Sequence, residues 1–294
     1  MEQAPAGEAR DYKRKLRVIL AAFPDHYTLP SRPSAAPPSV ADAHRQTQFL
    51  LGADLAVFEQ AMNLQLGIVA ANARLRTPEA AAMLALWSRV FSHLADACTL
   101  MCLGSYVSSP PLLRAACDCI AAQRSLIADG FGEYREWLAD AVSQEKEQAA
   151  LAFDLGRFRA GSALAEDERL GVIYRLFTDL SMPHFGSTAL QTAPETSLQK
   201  LSLTFGDTAF HLGWAELNSG WLLTLAGAQL TTITASEVFA VDDAAISQAE
   251  TLGRDIAATL ASRRRCYVED MAGRFLFHNF RRTGAGVPRR VLLA

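Results

Sequence analysis

The sequence predicts an all-α fold, a helical bundle of about seven helices with long antiparallel core helices. Three observations carry that expectation. Apolar residues recur at helical spacing along most of the chain, two helix starts are opened by proline, and no convincing run alternates as a strand would. Half of the 294 residues are apolar, enough for a substantial core. The expected organisation is a flexible proline-rich arm over 1–40, a single all-helical domain over 41–280 and a basic tail over 281–294.

The arm holds a basic segment, Asp11 to Arg17, and then Pro24, Pro30, Pro33, Pro37 and Pro38. Proline at that density removes backbone donors and forbids helix. The first helix, Ala41 to about Leu75, keeps Leu51, Leu55, Phe58, Met62 and Val69 on one face. Thr77-Pro78-Glu79 opens the second with a capping hydroxyl, a proline at the first position and an acid in the first turn. Its stripe runs from Met83 through Trp87, Val90 and Leu94 to about Tyr106. Ser108-Ser109-Pro110-Pro111 repeats that pattern and starts a third helix ending at Gly130. A fourth, charged helix spans Gly132 to Phe158, and a fifth runs from Ala165 to Leu180, inward through Leu170, Ile173 and Leu180.

The sixth helix is expected from Pro194 to Thr234, with Gly206, Gly213, Gly220 and Gly227 at intervals of seven and Trp214 and Trp221 beside them. Interior glycine costs about 0.5–1 kcal/mol against alanine, so the four need an offsetting close approach of another helix. That seam is core or interface; core is preferred, because buried apolar helices are usually intrachain. Asp242 or Asp243 caps a seventh helix that continues to Phe280.

A formal net charge of −3 gives no global field demanding a polyanion or a membrane, so any basic site is local. The acidic first residues lack the apolar stretch of a secretory signal. The most apolar window, Trp221 to Ile233, has Glu216 and Asn218 upstream and contains Gln229, short of a membrane span. A cytoplasmic protein of high-GC bacterial composition is expected. Cys98, Cys102, Cys117, Cys119 and Cys266 are odd in number and read as reduced packing residues; their spacing with His93 is not a zinc knuckle. Phosphate loops, nucleophile elbows and Glu-x-x-His pairs are absent, and Asp242-Asp243 with Ser247 and Glu250 has the wrong offsets for a terpene-synthase metal motif. No metal and no cofactor is expected.

The candidate catalytic residues are His184, in the loop Met182–Gly186; Arg114 and Asp118, one helical turn apart on an otherwise apolar helix; and Arg274 with His278. Arg89 and His93 form a second Arg-x-x-x-His pair. Arg263, Arg264, Arg265, Arg281 and Arg282 form a candidate polyanion-binding set, since clustered arginines can track a phosphate backbone.

Ser109-Pro-Pro-Leu-Leu-Arg114 opening a helix, followed by Asp179-Leu-Ser-Met-Pro-His184 before a long apolar helix, resembles uncharacterised bacterial helical proteins related to the HEPN superfamily, over residues 80–235. That resemblance implies a helical, often dimeric protein, and in many members a metal-independent ribonuclease of defence or toxin systems. The ribonuclease motif has four to six residues between its Arg and its His. In Arg89/His93 and Arg274/His278 three residues intervene, so no catalytic residue is carried over. Two functions follow as expectations. One is a non-enzymatic interaction or assembly protein, self-associating or bound to a protein partner through the glycine seam or basic tail. The other is a HEPN-like RNA-binding protein or ribonuclease.

Overall fold

Thr77 caps as its sequence implies, its hydroxyl accepting from Ala80 N at 3.1 Å. The computed structural model describes residues 22–140, 142–145, 150–153, 155–284 and 286–294; the basic segment Asp11 to Arg17 lies outside them. Among the described residues the helices are α1 (Pro38–Leu50), α2 (Gly52–Ala71), α3 (Pro78–Cys102), α4 (Ser109–Ala128), α5 (Gly132–Asp140), α6 (Gly161–Glu166), α7 (Glu168–Ser181), α8 (Phe185–Thr192), α9 (Leu212–Thr234) and α10 (Asp243–Leu260). Strands β1 (Val142–Glu145) and β2 (Ala150–Phe153) form one antiparallel pair. Strands β3 (Tyr267–Asp270), β4 (Phe275–His278) and β5 (Arg290–Leu293) form an antiparallel meander with Tyr267 opposite His278 and Phe275 opposite Leu293.

The described residues are therefore mostly helical, and two expectations are corrected: ten helices among them replace about seven, and a two-stranded pair and a small C-terminal sheet stand where no strand was expected. Two of the extra helices arise from local breaks. Leu51 departs from helical geometry at φ −117° and separates α1 from α2. Asp167 breaks the expected fifth helix and restarts it, its carboxylate accepting from Leu170 N at 2.9 Å. The expected fourth helix stops at Asp140 and gives way to β1; its stretch 146–149 lies outside the described residues. α4 ends as foreseen near Gly130 at φ +58°, and Phe131 follows at φ +64°, a left-handed phenylalanine held by its own burial and by its N–H bond to Leu126 O at 2.8 Å.

The central helix is shorter than expected. Residues 194–211 are not helical, because Ser, Thr and Asp side chains there take the backbone bonds a helix would need. Ser202 N donates to Thr196 Oγ1, Gln199 N to Ser197 Oγ and Ala209 N to Asp207 Oδ1. Gly206, at φ +62°, belongs to that segment and leaves the seam. Gly213, Gly220 and Gly227 remain, and each faces the same chain. A Cβ at 213 would lie 2.2 Å from Asn279 Oδ1, one at 220 would lie 3.4 Å from Leu260, and one at 227 would lie 3.2 Å from Ile256. The shortened seam is core.

α9 is buried along most of its length among α2, α3, α4 and α10, with most of its buried polar groups paired and Asn218 Oδ1 left without a partner. Gln229 and Gln123 exchange two amide bonds of 3.0 Å, and Asn218 Nδ2 donates to Trp214 O at 2.9 Å. Residues 22–37 are non-helical, as their prolines require, yet they dock. Tyr27 is buried edge-on against Phe58 and Phe91, and its backbone exchanges bonds with Asn63. The expected seventh helix ends at Leu260. Arg264 turns the chain at φ +63°, and Ala272 and Gly273 form the turn before β4, whose Phe275 and Phe277 point into the core. The segment expected as a basic tail carries β5.

Candidate functional site

A cleft of about 860 Å³ opens between the end of α4, α6 and α7, the middle of α9 and the turn from α10 into β3. Small residues make the room: Ser125, Ala128, Ser162, Ala163 and Gly220 line it where larger side chains would fill it. Leu217, Trp221, Val172, Ile173 and Leu260 supply apolar walls, with Trp221 held edge-on by Phe177 at 5.2 Å between ring centroids. The volume is within the range of organic-ligand sites.

Behind and beside this cleft lies a buried ionic network that joins α2, α9 and the sheet. Arg265 Nη2 sits 2.7 Å from Asp54 Oδ2, 2.6 Å from Ser219 Oγ and 3.0 Å from Glu216 O. Ser219 in turn donates to Asp54 Oδ2 at 2.8 Å. Glu216 accepts from Arg281 through Nε at 3.0 Å and Nη2 at 2.6 Å, and from Cys266 N at 3.1 Å. Burial pushes the Glu216 carboxyl upward, but the bonds from Arg281 and Cys266 outweigh it and hold the group below its ordinary value. Burial, reinforced by that carboxylate, pushes the Cys266 thiol up to about 12. On the opposite wall Arg124 pairs with Asp167 and donates to Thr232 Oγ1 at 2.9 Å.

The residues singled out by sequence are dispersed. His184 is exposed at the start of α8, where its carbonyl accepts from Thr188 N. Arg114 lies over the Tyr174 ring, 5.3 Å from its centroid, and donates to its hydroxyl at 3.2 Å. Burial pushes the Asp118 carboxyl up against the opposing pull of Arg114 and Arg89. None of these lines the cleft. Arg274 and His278 are not helical neighbours. Arg274 is exposed in the turn before β4, while His278 is in the strand, stacked on Tyr267 at 4.4 Å and bonded through Nε2 to Glu269 at 2.9 Å.

The arginine set divides as well. Arg263 and Arg264 are exposed, whereas Arg265 and Arg282 are buried and Arg281 is bound to Glu216. Arg282 donates to the carbonyls of Pro194 and Pro288 and fastens the last residues to the loop after α8. Among the described residues no group of three or more His, Cys, Asp or Glu is placed to hold a metal ion, and no helix is long and apolar enough to cross a membrane. Sequence reasoning missed Asp54, Ser219, Arg124 and Arg169. The signal available was a charge inside an apolar helix, as at Asp54 and Glu216, which must find a partner when buried.

A second surface feature is the run of large apolar side chains left in solvent between α8 and α9. Phe185, Leu198 and Phe205 are 97%, 87% and 104% exposed, and Leu201 and Leu203 are 60% and 67% exposed. The first turn of α8 adjoins the sheet: a Cβ on Gly186 would lie 3.2 Å from Leu293 of β5.

No family model, curated protein or solved structure matches this chain.

Proposed function

We propose that the chain is a non-enzymatic interaction protein that assembles with a second copy of itself through the face formed by Phe185, residues 198–205 and the edge of β5. The exposure of those five large apolar residues carries the reading. Full burial of a Leu or Phe side chain is worth about 1.5–3 kcal/mol, so a partner covering several of them gains substantially. A second copy fits because β5 is an edge of its sheet, and an edge strand flanked by apolar side chains is self-complementary across a two-fold axis.

The glycine seam and most of the C-terminal arginines, the contact surfaces the sequence offered, are occupied internally. The helical glycines face Asn279, Leu260 and Ile256, and Arg265, Arg281 and Arg282 are bonded within the chain. Of the cleft carboxylates, Asp167 and Glu216 are held in ion pairs, which leaves them poor bases, while Glu166 and Glu168 are exposed, and Ser219 is buried away from the cleft.

Sedimentation velocity across a concentration series tests this. The wild-type chain is expected above its monomer mass of 31.9 kDa, and Phe185→Ser/Phe205→Ser is expected to return it to that mass with an unchanged helical spectrum. A wild-type monomer at every concentration, or a dimer that survives both substitutions, overturns the reading. RNA cleavage lost in His278→Ala would favour the HEPN-like ribonuclease instead.

A further inference from the structure

The cleft carries a second inference, independent of self-association. Arg265 is more than nine-tenths buried and lines the cleft, yet Nη2 makes all of its contacts: Asp54, Ser219 and Glu216 O. Its Nε has no hydrogen-bond partner. A buried donor left unmade costs about 1–3 kcal/mol, so a site that keeps one is set up to receive an acceptor. Gly220 lies against that solvent-shielded flank of the guanidinium without a side chain of its own: a Cβ there would sit 3.7 Å from Nε and 3.6 Å from Nη2.

One turn further along α9, Thr224 donates back to Gly220 O at 2.8 Å and accepts from Arg169 Nη2 at 3.4 Å. Arg169 has no carboxylate within 4.0 Å among the described residues, in contrast to Arg124, which Asp167 neutralises. Two guanidiniums with donors to spare thus converge on one turn of α9, about 6 Å long, beside the apolar walls of Trp221 and Ile173. Glu166 and Glu168 are exposed at the opening and disfavour ligands of high negative charge.

We infer that this cleft binds a small organic anion, one carboxylate on an apolar body, with the carboxylate bridging Arg169 and Arg265 over Gly220–Thr224 and the body lying against Trp221. Arginine suits the role because its planar fork matches a carboxylate, and such bonds are about twice as strong as neutral ones.

Isothermal titration of the full chain with octanoate tests the assignment, with octylammonium and inorganic phosphate as the other arms. Octanoate is expected to bind at one site per chain, and neither of the others is expected to bind or compete. Arg169→Gln, at an exposed position where folding is not at stake, should weaken octanoate at least tenfold. Arg265→Gln leaves Asp54 without its partner, so it is made together with Asp54→Asn, and the folded double variant should lose octanoate binding. Octylammonium binding as well as octanoate overturns the charge assignment. Phosphate binding as tightly as octanoate overturns the apolar body, and full octanoate affinity in Arg169→Gln overturns the site.

Discussion

Replacing Asp54 by Asn is the sharpest test of the buried network. The side chains of Asp54 and Arg265 are only 10% and 7% exposed, and they meet at 2.7 Å. Asparagine keeps the volume and leaves no cavity, so the change isolates the charge. Removing one partner of a buried pair strands the other in a medium that cannot solvate it, at a cost of about 3–5 kcal/mol. The Glu216–Arg281 pair is a weaker comparison, since Arg281 is 38% exposed and water screens it. For a chain of this size each kcal/mol moves the melting temperature by roughly 2–4 °C, so Asp54→Asn should lower it by about 6–20 °C. Urea unfolding followed by circular dichroism gives the free energy, provided the slope against denaturant is unchanged. Asp54→Leu/Arg265→Met removes both charges and should recover most of the loss, because well-packed apolar residues can replace a buried ion pair. A loss below about 1 kcal/mol in Asp54→Asn, or a double variant less stable than the single one, would refute the argument.

Three further outcomes follow from the same geometry. All five cysteines are buried, and burial pushes the Cys117 thiol, like that of Cys266, up to about 12. The folded chain should therefore show no fast reaction with a thiol reagent, and the urea-unfolded chain should release five equivalents. Glu216 is held below its ordinary value of 4.5. A carboxyl so depressed stabilises the folded chain above that value and loses the contribution as pH falls through its folded value, so the urea midpoint should drop below pH ~4.5, and less steeply in Glu216→Gln. Among the helical glycines, Gly213→Ala forces the Asn279 amide aside and should cost about 1–3 kcal/mol, whereas Gly220→Ala meets only ordinary contacts and gains helix propensity, leaving stability equal or up to about 1 kcal/mol higher. Equal effects at the two positions, measured by thermal melts, would show that the seam is packed otherwise.

The helical elements were legible where a capping side chain and an apolar period agreed. Thr77-Pro78 and Asp242 open α3 and α10, and Asp242 accepts from Ala245 N at 2.8 Å. The errors arose where a period was extended past its local chemistry. The glycine interval of seven carried the central helix back through 194–211, although serines and threonines there satisfy the backbone themselves. The apolar run Phe275-Leu276-Phe277 of β4 does not alternate with polar residues and is too short to outweigh a helical reading of the residues before it.

The site was harder to read, because its members come from distant parts of the chain. Asp54 lies in α2, Arg124 in α4, Arg169 in α7, Glu216 in α9 and Arg265 in the turn to β3, and only the packing of α2, α4 and α10 on α9 and of α7 on α4 brings them together. The C-terminal arginines were recognised as a group, but charge counting could not tell Arg263 and Arg264, which face solvent, from Arg265 and Arg282, which the fold takes inside. The exposed apolar run from Leu198 to Phe205 was concealed by assigning it to a buried helix.

The measurement that tests self-assembly most directly is amide hydrogen exchange of the wild-type chain at low and high protein concentration. Burial of the α8–α9 segment and the β5 edge against a second copy should slow exchange at residues 196–206 and 290–293 as concentration rises, and leave the turn at Arg263 and Arg264 unchanged. Exchange in those two segments that stays the same at every concentration would contradict the account.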